Sequence, residues 1–235
     1  MKPINTLLAI LFISLLSSLS WSVTLGDLVE RDGLYYEKFT DAPFTGEVTG
    51  EDQGSFKSGV KDGAWVKYHK NGQLKEKVNF KNGKMEGAGV FYHDNGQLAG
   101  KVSFRNGKKE GAKISYHDNG ELEAKSNYKN GKKEGAEVTY HDNGQLFVKG
   151  SSKNGEREGA WRGYHDNGQL WWKGNYKNSR FEGAWVTYYS NGQLEKKGNY
   201  KNSRKKEGAW VSYNEDGTLD KELTGTFKKG IKISD

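Results

Sequence analysis

The residues best suited to chemistry stand together in one short stretch, His93-Asp94-Asn95-Gly96-Gln97. An imidazole beside a carboxylate and amides is material for metal binding or for acid–base catalysis. All five histidines occupy the equivalent place, as His69, His93, His117, His141 and His165, always 24 residues apart. Carboxylates form a similar rank: Glu86, Glu110, Glu134, Glu158, Glu182 and, one residue late, Glu207. That regularity argues against both chemistries. A 24-residue unit has room for two strands and two turns, which places successive copies about 10 Å apart. Zinc draws its ligands to about 2.0–2.1 Å from a single ion. Paired carboxylates in glycoside hydrolysis converge to about 5–9.5 Å. The chain has no cysteine to add a thiolate, and no G-x-S-x-G, H-E-x-x-H or P-loop sequence. The chain is therefore expected to be non-enzymatic, with no cofactor and no metal. The His column reads as a turn-flanking position.

The elements that carry these residues come from one copied unit. Gly87–Glu110 (GAGVFYHDNGQLAGKVSFRNGKKE) returns almost unchanged over Gly111–Glu134. The opening glycine falls at 63, 87, 111, 135, 159 and 183, and then at 208 after a turn one residue longer. Each unit has two polar turns, one of the type His93-Asp94-Asn95-Gly96 and one of the type Lys129-Asn130-Gly131-Lys132. Asn-Gly between alternating runs is a strong hairpin signal, because both residues tolerate positive φ. Lys177-Asn178-Ser179-Arg180 lacks the glycine and requires a substitute.

Between turns the residue character alternates, as in a strand with one preferred face. Val66, Val90 and Ile114 lead one expected core column, which Val138, Val186 and Val211 continue. Tyr68, Tyr92, Tyr116, Tyr140, Tyr164, Tyr188 and Tyr213 share that face. Leu74, Leu98, Leu122, Leu146, Leu170, Leu194 and Leu219 recur after the first turn. Phe80, Phe104, Tyr128, Tyr176 and Tyr200 close the second strand; Ser152 interrupts that column and Arg162 the Val column, which marks the middle of the array as its weak point. These columns predict an all-β fold: an elongated, single-layer antiparallel meander of stacked hairpins, stabilised by nearest-neighbour contacts. A propeller with two units per blade is the competing architecture.

The organisation follows. Residues 1–22 read as a secretory signal peptide, with Lys2, the apolar run Leu7–Leu16 and small residues at Ser20 and Ser22. Residues 23–62 read as an N-terminal cap or degenerate repeat, 63–230 as seven tandem repeats, and 231–235 as a C-terminal tail. Only 33% of residues are hydrophobic, yet there are 30 aromatic ones (13 Tyr, 10 Phe, 7 Trp), which fits a thin sheet rather than disorder. The expected location is exported: periplasm, cell surface or medium. The net charge of +7 is spread along the chain with both signs interspersed, so nucleic acid is not an expected partner.

The pattern GAxxxYHDNGQLxxKxxYKNGKxEG resembles the bacterial variant of the MORN (membrane occupation and recognition nexus) repeat. More closely it resembles the YwqK-family repeat proteins labelled antitoxins. The resemblance spans roughly residues 30–230. It implies an extended sheet of stacked hairpins that binds proteins or lipids as a scaffold, and the antitoxin label implies capture of a partner protein.

Departures from the unit are the better place to seek a site. Trp65, Trp161, Trp185 and Trp210 precede the Val column and so point to the opposite face, where Gly89, Lys113 and Glu137 stand in the middle units. With Trp171, Trp172 and Tyr189 they make the C-terminal half rich in aromatics. Trp161, Trp171, Trp172, Trp185, Tyr189 and Trp210 are the candidate binding residues, since aromatics are enriched in binding sites. The same rings also suit plain packing on the second face. The expected partner is another protein; the alternatives are cell-wall glycan or other polysaccharide bound through the Trp-rich face, and the lipid headgroups of a membrane. Exposed sheet edges would permit oligomerisation.

Overall fold

The computed structural model describes residues 22–201 and 205–235. The signal-peptide expectation therefore lies outside the described residues, apart from Ser22. From Gly46 onward the chain forms one antiparallel meander in which each strand pairs with its neighbours in sequence. The end strands, Gly46–Val48 and Ile231–Ser234, each have a single partner, so the sheet is open rather than a barrel or propeller. Among the described residues no α-helix occurs; a single 3-10 turn spans Leu25–Asp27.

The turns take the form their sequences require. Asn82, Asn106, Asn130 and Asn154 sit at φ 51 to 53°, each followed by a glycine also at positive φ, the two-residue geometry that matches strand twist. Asn178-Ser179 keeps it without glycine, with φ 49° and 60°. The Ser179 hydroxyl compensates by accepting a hydrogen bond from Arg157 N at 2.9 Å. The glycine that opens each repeat, such as Gly111 at φ 77°, lies where the register slips by a bulge. That slip lets consecutive strands twist while their columns stay aligned.

The core lies on the face opposite to the one the Val and Tyr columns suggested. Trp65, Val78, Val102, Val148, Trp161, Trp172, Tyr176, Trp185 and Trp210 are buried. The expected core residues Val66, Tyr68, Leu74, Val90, Tyr92, Leu98, Ile114, Tyr116, Leu122, Tyr140, Leu146, Tyr164, Leu170, Tyr188, Leu194 and Tyr213 are only half-buried, and Leu219 is 45% exposed. The reason is side-chain size. Indoles cover a sheet face by lying flat along it, whereas Val beside exposed Ala and Lys leaves its own face open.

The buried face is not uniform. One cluster gathers Phe44, Val48, Phe56, Trp65 and Val78, and another gathers Trp161, Trp172, Tyr176, Trp185, Trp210 and Phe227. Between them stand Lys113, Ser115, Ser126, Glu137 and Ser152. Ser152 donates to Glu137, which also pairs with Lys133. A buried polar network thus replaces a ring where the column is interrupted, satisfying the buried carboxylate.

The ends depart from the unit. Leu28–Arg31 and Leu34–Glu37 form a separate hairpin whose Tyr35, together with Phe44 from the segment that follows, closes over Phe56. In the last unit Phe227 pairs with Gly208 as Phe80 does with Gly63, and Gly225 takes the place of Val78. Leu219 to Gly225 spans six residues where Leu74 to Val78 spans four, so two extra residues loop out. Residues 231–235 are not simply a tail: Ile231–Ser234 is the closing strand.

Candidate binding face

The buried tryptophans, Trp65, Trp161, Trp172, Trp185 and Trp210, are packing elements. Each lies on a glycine of the preceding strand. An added Cβ would come within 2.4 Å of the Trp65 ring from Gly54, 2.1 Å of Trp161 from Gly150, 1.9 Å of Trp185 from Gly174 and 2.2 Å of Trp210 from Gly198. Three of these rings also carry a cation: the Lys61 ammonium lies 4.0 Å from the Trp65 ring centre, the Arg157 guanidinium 4.3 Å from that of Trp161, and the Lys206 ammonium 4.9 Å from that of Trp210. Phe181 covers Trp185 in the same way, with ring centres 4.2 Å apart. Burial lowers the pKa of Lys61 and of Lys206 below the usual lysine range. The indole N–H groups are also satisfied, Trp65 donating to Ser55 O, Trp161 to Ser151 O and Trp210 to Asn199 O. Trp172 stacks on Trp185 with ring centres 5.0 Å apart. Trp161 and Trp210 are each 2% exposed. Rings so enclosed have no face left for a ligand, so Trp161, Trp172, Trp185 and Trp210 do not form the expected binding surface.

The His column has an equally definite structural role. Nε2 of His69, His93, His117, His141 and His165 lies 2.9 to 3.0 Å from the carbonyl of Tyr92, Tyr116, Tyr140, Tyr164 and Tyr188 respectively. A carbonyl only accepts, so Nε2 carries the hydrogen. The turn asparagines add a second link, as where Asn119 Nδ2 donates to Asp142 O at 2.8 Å and Asn119 Oδ1 accepts from Glu121 N. These bonds fasten each first turn to the next. Tyr189 makes the same link with its hydroxyl, donating to Tyr213 O at 2.8 Å. It is a latch, not a free aromatic. Among the described residues no group of three or more His, Cys, Asp or Glu is placed to hold a metal.

The opposite face is the one left open. Strand alternation and register set Ala64, Ala88, Ala112, Ala136, Ala160 and Ala184 across from Asn79, Ser103, Asn127, Ser151, Asn175 and Asn199. All of these residues are exposed. They form a lane of methyl groups and small polar groups running along the array. Beside it runs a second lane, where Lys77, Lys101, Lys125, Lys149, Lys173 and Lys197 stand opposite Val66, Val90, Ile114, Val138, Arg162 and Val186. All six lysines are exposed, and none takes part in an ion pair of the described residues. The carboxylates of the Glu rank do not neutralise this lane. Glu86, Glu110, Glu134 and Glu158 are turned to the next hairpin, each accepting from the backbone N–H of Asn106, Asn130, Asn154 and Asn178 at 2.8 to 3.1 Å.

A groove of about 700 Å³ opens along these lanes in the middle of the array, lined by Ala112, Ala136 and Ala160 together with Lys125, Lys149 and Arg162. Trp171, 39% exposed, and Phe147, 37% exposed, stand on this same face against His165 and His141. Of the six residues proposed from sequence, only Trp171 borders the open face. The Ala, Asn and Lys lanes were missed because they are the unit's most ordinary positions. A signal was present: four tryptophans each pair with a glycine one strand back, while Gly89, Lys113 and Glu137 face Val78, Val102 and Ser126. That complementarity of bulk marks a packed face and, by elimination, the open one.

Ranks of single residues spaced about 10 Å apart assemble no nucleophile, base and acid, and the arrangement is that of a non-catalytic scaffold. No curated protein sequence is matched by this chain. The MORN repeat variant profile matches residues 61–82, 85–106, 109–130, 133–154, 157–178 and 181–202. Six in-register copies cover more than half of the chain, which belongs to the MORN repeat variant family.

Proposed function

We propose that the chain is an exported scaffold that binds a partner protein through its open, lysine-bearing face. The observation that carries this reading is the contrast between the two faces. One is closed by Trp, Gly and cation layers, while the other keeps six exposed lysines and a row of Ala and Asn uncovered. Small-residue lanes let another backbone approach closely, and charged residues beside them set its orientation. Antitoxin-like capture of a partner is one form this binding takes. Export is supported by Lys2 and the apolar run Leu7–Leu16, and the lack of cysteine is compatible with an oxidising compartment.

The test is capture from an envelope fraction by the purified chain and by an Ala136→Glu/Ala160→Glu variant. Both positions are exposed, so the variant should keep its far-UV strand signal and lose capture. Undiminished capture would move the site elsewhere. Cell fractionation tests export, and an uncleaved chain retained in the cytoplasm would count against it.

A second reading is peripheral binding to anionic lipid. It is favoured by exposed Trp171 and Phe147 on the same face as the lysine lane. Sedimentation with phosphatidylserine vesicles separates it from protein binding. The glycan reading rested on the tryptophan face and has no support from buried rings.

A further inference from the structure

The two lanes of the open face have a period, and the period selects a ligand conformation. Successive hairpins advance by two strand spacings, about 9.4–9.8 Å. A lysine of the lane recurs at each advance, from Lys77 through Lys197. A ligand that engages all of them must present a negative charge at that interval.

An extended β-strand does not, because its same-side groups recur about every 6.7 Å. An α-helix returns to nearly the same side only after seven residues, about 10.5 Å, and so slips by about 0.7–1.1 Å against each hairpin. A polyproline II segment has three residues per turn and a rise of about 3.1 Å per residue, so one side of it recurs every 9.3 Å or so. It stays within about half an ångström of the lysines per repeat, a drift that flexible lysine side chains absorb.

The neighbouring lane fits the same ligand. A polyproline II backbone has no internal hydrogen bonds, and its carbonyls need partners. Asn79, Asn127, Asn175 and Asn199 line the lane, and no hydrogen bond of the described residues engages their side-chain amides. This sets them apart from the turn asparagines, whose amides are committed to the next repeat. The alanine methyls between them offer shallow apolar contact to proline rings.

Resting on the reading of the open face as a protein-binding surface, we infer that this face binds an acidic protein segment in the polyproline II conformation. The segment carries a carboxylate at every third residue and lies along the array across the strands. Its carboxylates meet the lysine lane and its backbone the asparagine lane.

The probe is a labelled peptide of six Glu-Pro-Pro triplets, titrated with the purified chain by fluorescence anisotropy at about 0.15 M salt. A comparison peptide has the same composition with its six glutamates in one block. The triplet peptide should bind about tenfold more tightly than the block peptide. A Lys101→Gln/Lys125→Gln/Lys149→Gln/Lys173→Gln variant with an unchanged far-UV signal should bind it about tenfold less well, a loss in keeping with four exposed ion pairs. Equal binding of the two peptides would overturn the inference, since charge alone would then suffice. So would tight binding of phosphatidylserine vesicles with none of the triplet peptide, which would assign the face to lipid. If the triplet peptide fails while Ala136→Glu/Ala160→Glu still abolishes partner capture, the inference falls and the protein-binding face stands. If neither peptide nor partner binds, both fall.

Discussion

Gly174→Ala adds one methyl group and tests the layer that closes the buried face. Gly174 lies in an ordinary strand conformation, so the substitution brings no backbone strain, only volume. The new Cβ would stand 1.9 Å from Cε3 of Trp185, where carbon atoms settle at about 3.5–4.0 Å. The ring must retreat by about 1.6–2.1 Å to restore contact. It has nowhere to go: Trp172 stacks on it at 5.0 Å between centres, Phe181 lies at 4.2 Å, and Tyr176 and Tyr200 stand edge-on at 5.8 and 6.0 Å. Overpacking of this kind costs about 1–3 kcal/mol. The reduced freedom of the unfolded chain returns about 0.4–1 kcal/mol. The midpoints of these ranges leave a net loss of about 1.3 kcal/mol, seen as a fall of roughly 3–5 °C in the melting temperature of the chain. Thermal unfolding followed by tryptophan fluorescence measures it. In a Trp185→Leu background the same Gly174→Ala change should cost less than about 0.5 kcal/mol, since the clashing ring is gone. A Gly174→Ala chain as stable as the parent, or an equal cost in both backgrounds, would refute the reasoning.

Trp161→Ala should cost about 3–5 kcal/mol by opening the buried layer, whereas Trp171→Ala should change stability by no more than about 0.5 kcal/mol; denaturant titration compares them. Tyr189→Phe removes the hydroxyl that bonds Tyr213 O and should cost about 0.5–1.5 kcal/mol. Tyr189→His should recover most of that loss, because histidine makes this link in five other repeats. Glu110→Ala frees the Asn130 N–H that its carboxylate holds at 2.8 Å. Amide exchange at Asn130 should quicken, with a local cost of about 1 kcal/mol.

The sequence by itself determined the unit, its strands, its two turns and the meander. Twenty-four residues with two Asn-Gly type turns leave room only for hairpins, and local turn chemistry places each reversal without help from distant residues. It also argued against catalysis, since equivalent residues on successive hairpins stand about 10 Å apart and do not converge. What it assigned wrongly was which face is inside, since the Val, Tyr and Leu columns pointed to the face that stays open. Alternation separates Trp65 from Val66 and Trp161 from Arg162, but it assigns no depth to either side, and both faces carry rings. The choice depends on contacts between strands: Trp185 sits inside because Gly174, one strand away, makes room beneath it and Phe181 covers it. His93 likewise looks like chemistry until the register brings the Tyr116 carbonyl to 2.9 Å. Only the tertiary structure could decide these points, because ring burial and hydrogen-bond pairing depend on neighbours about 10 to 23 residues away. The open Ala, Asn and Lys lanes are what remains after that packing is complete.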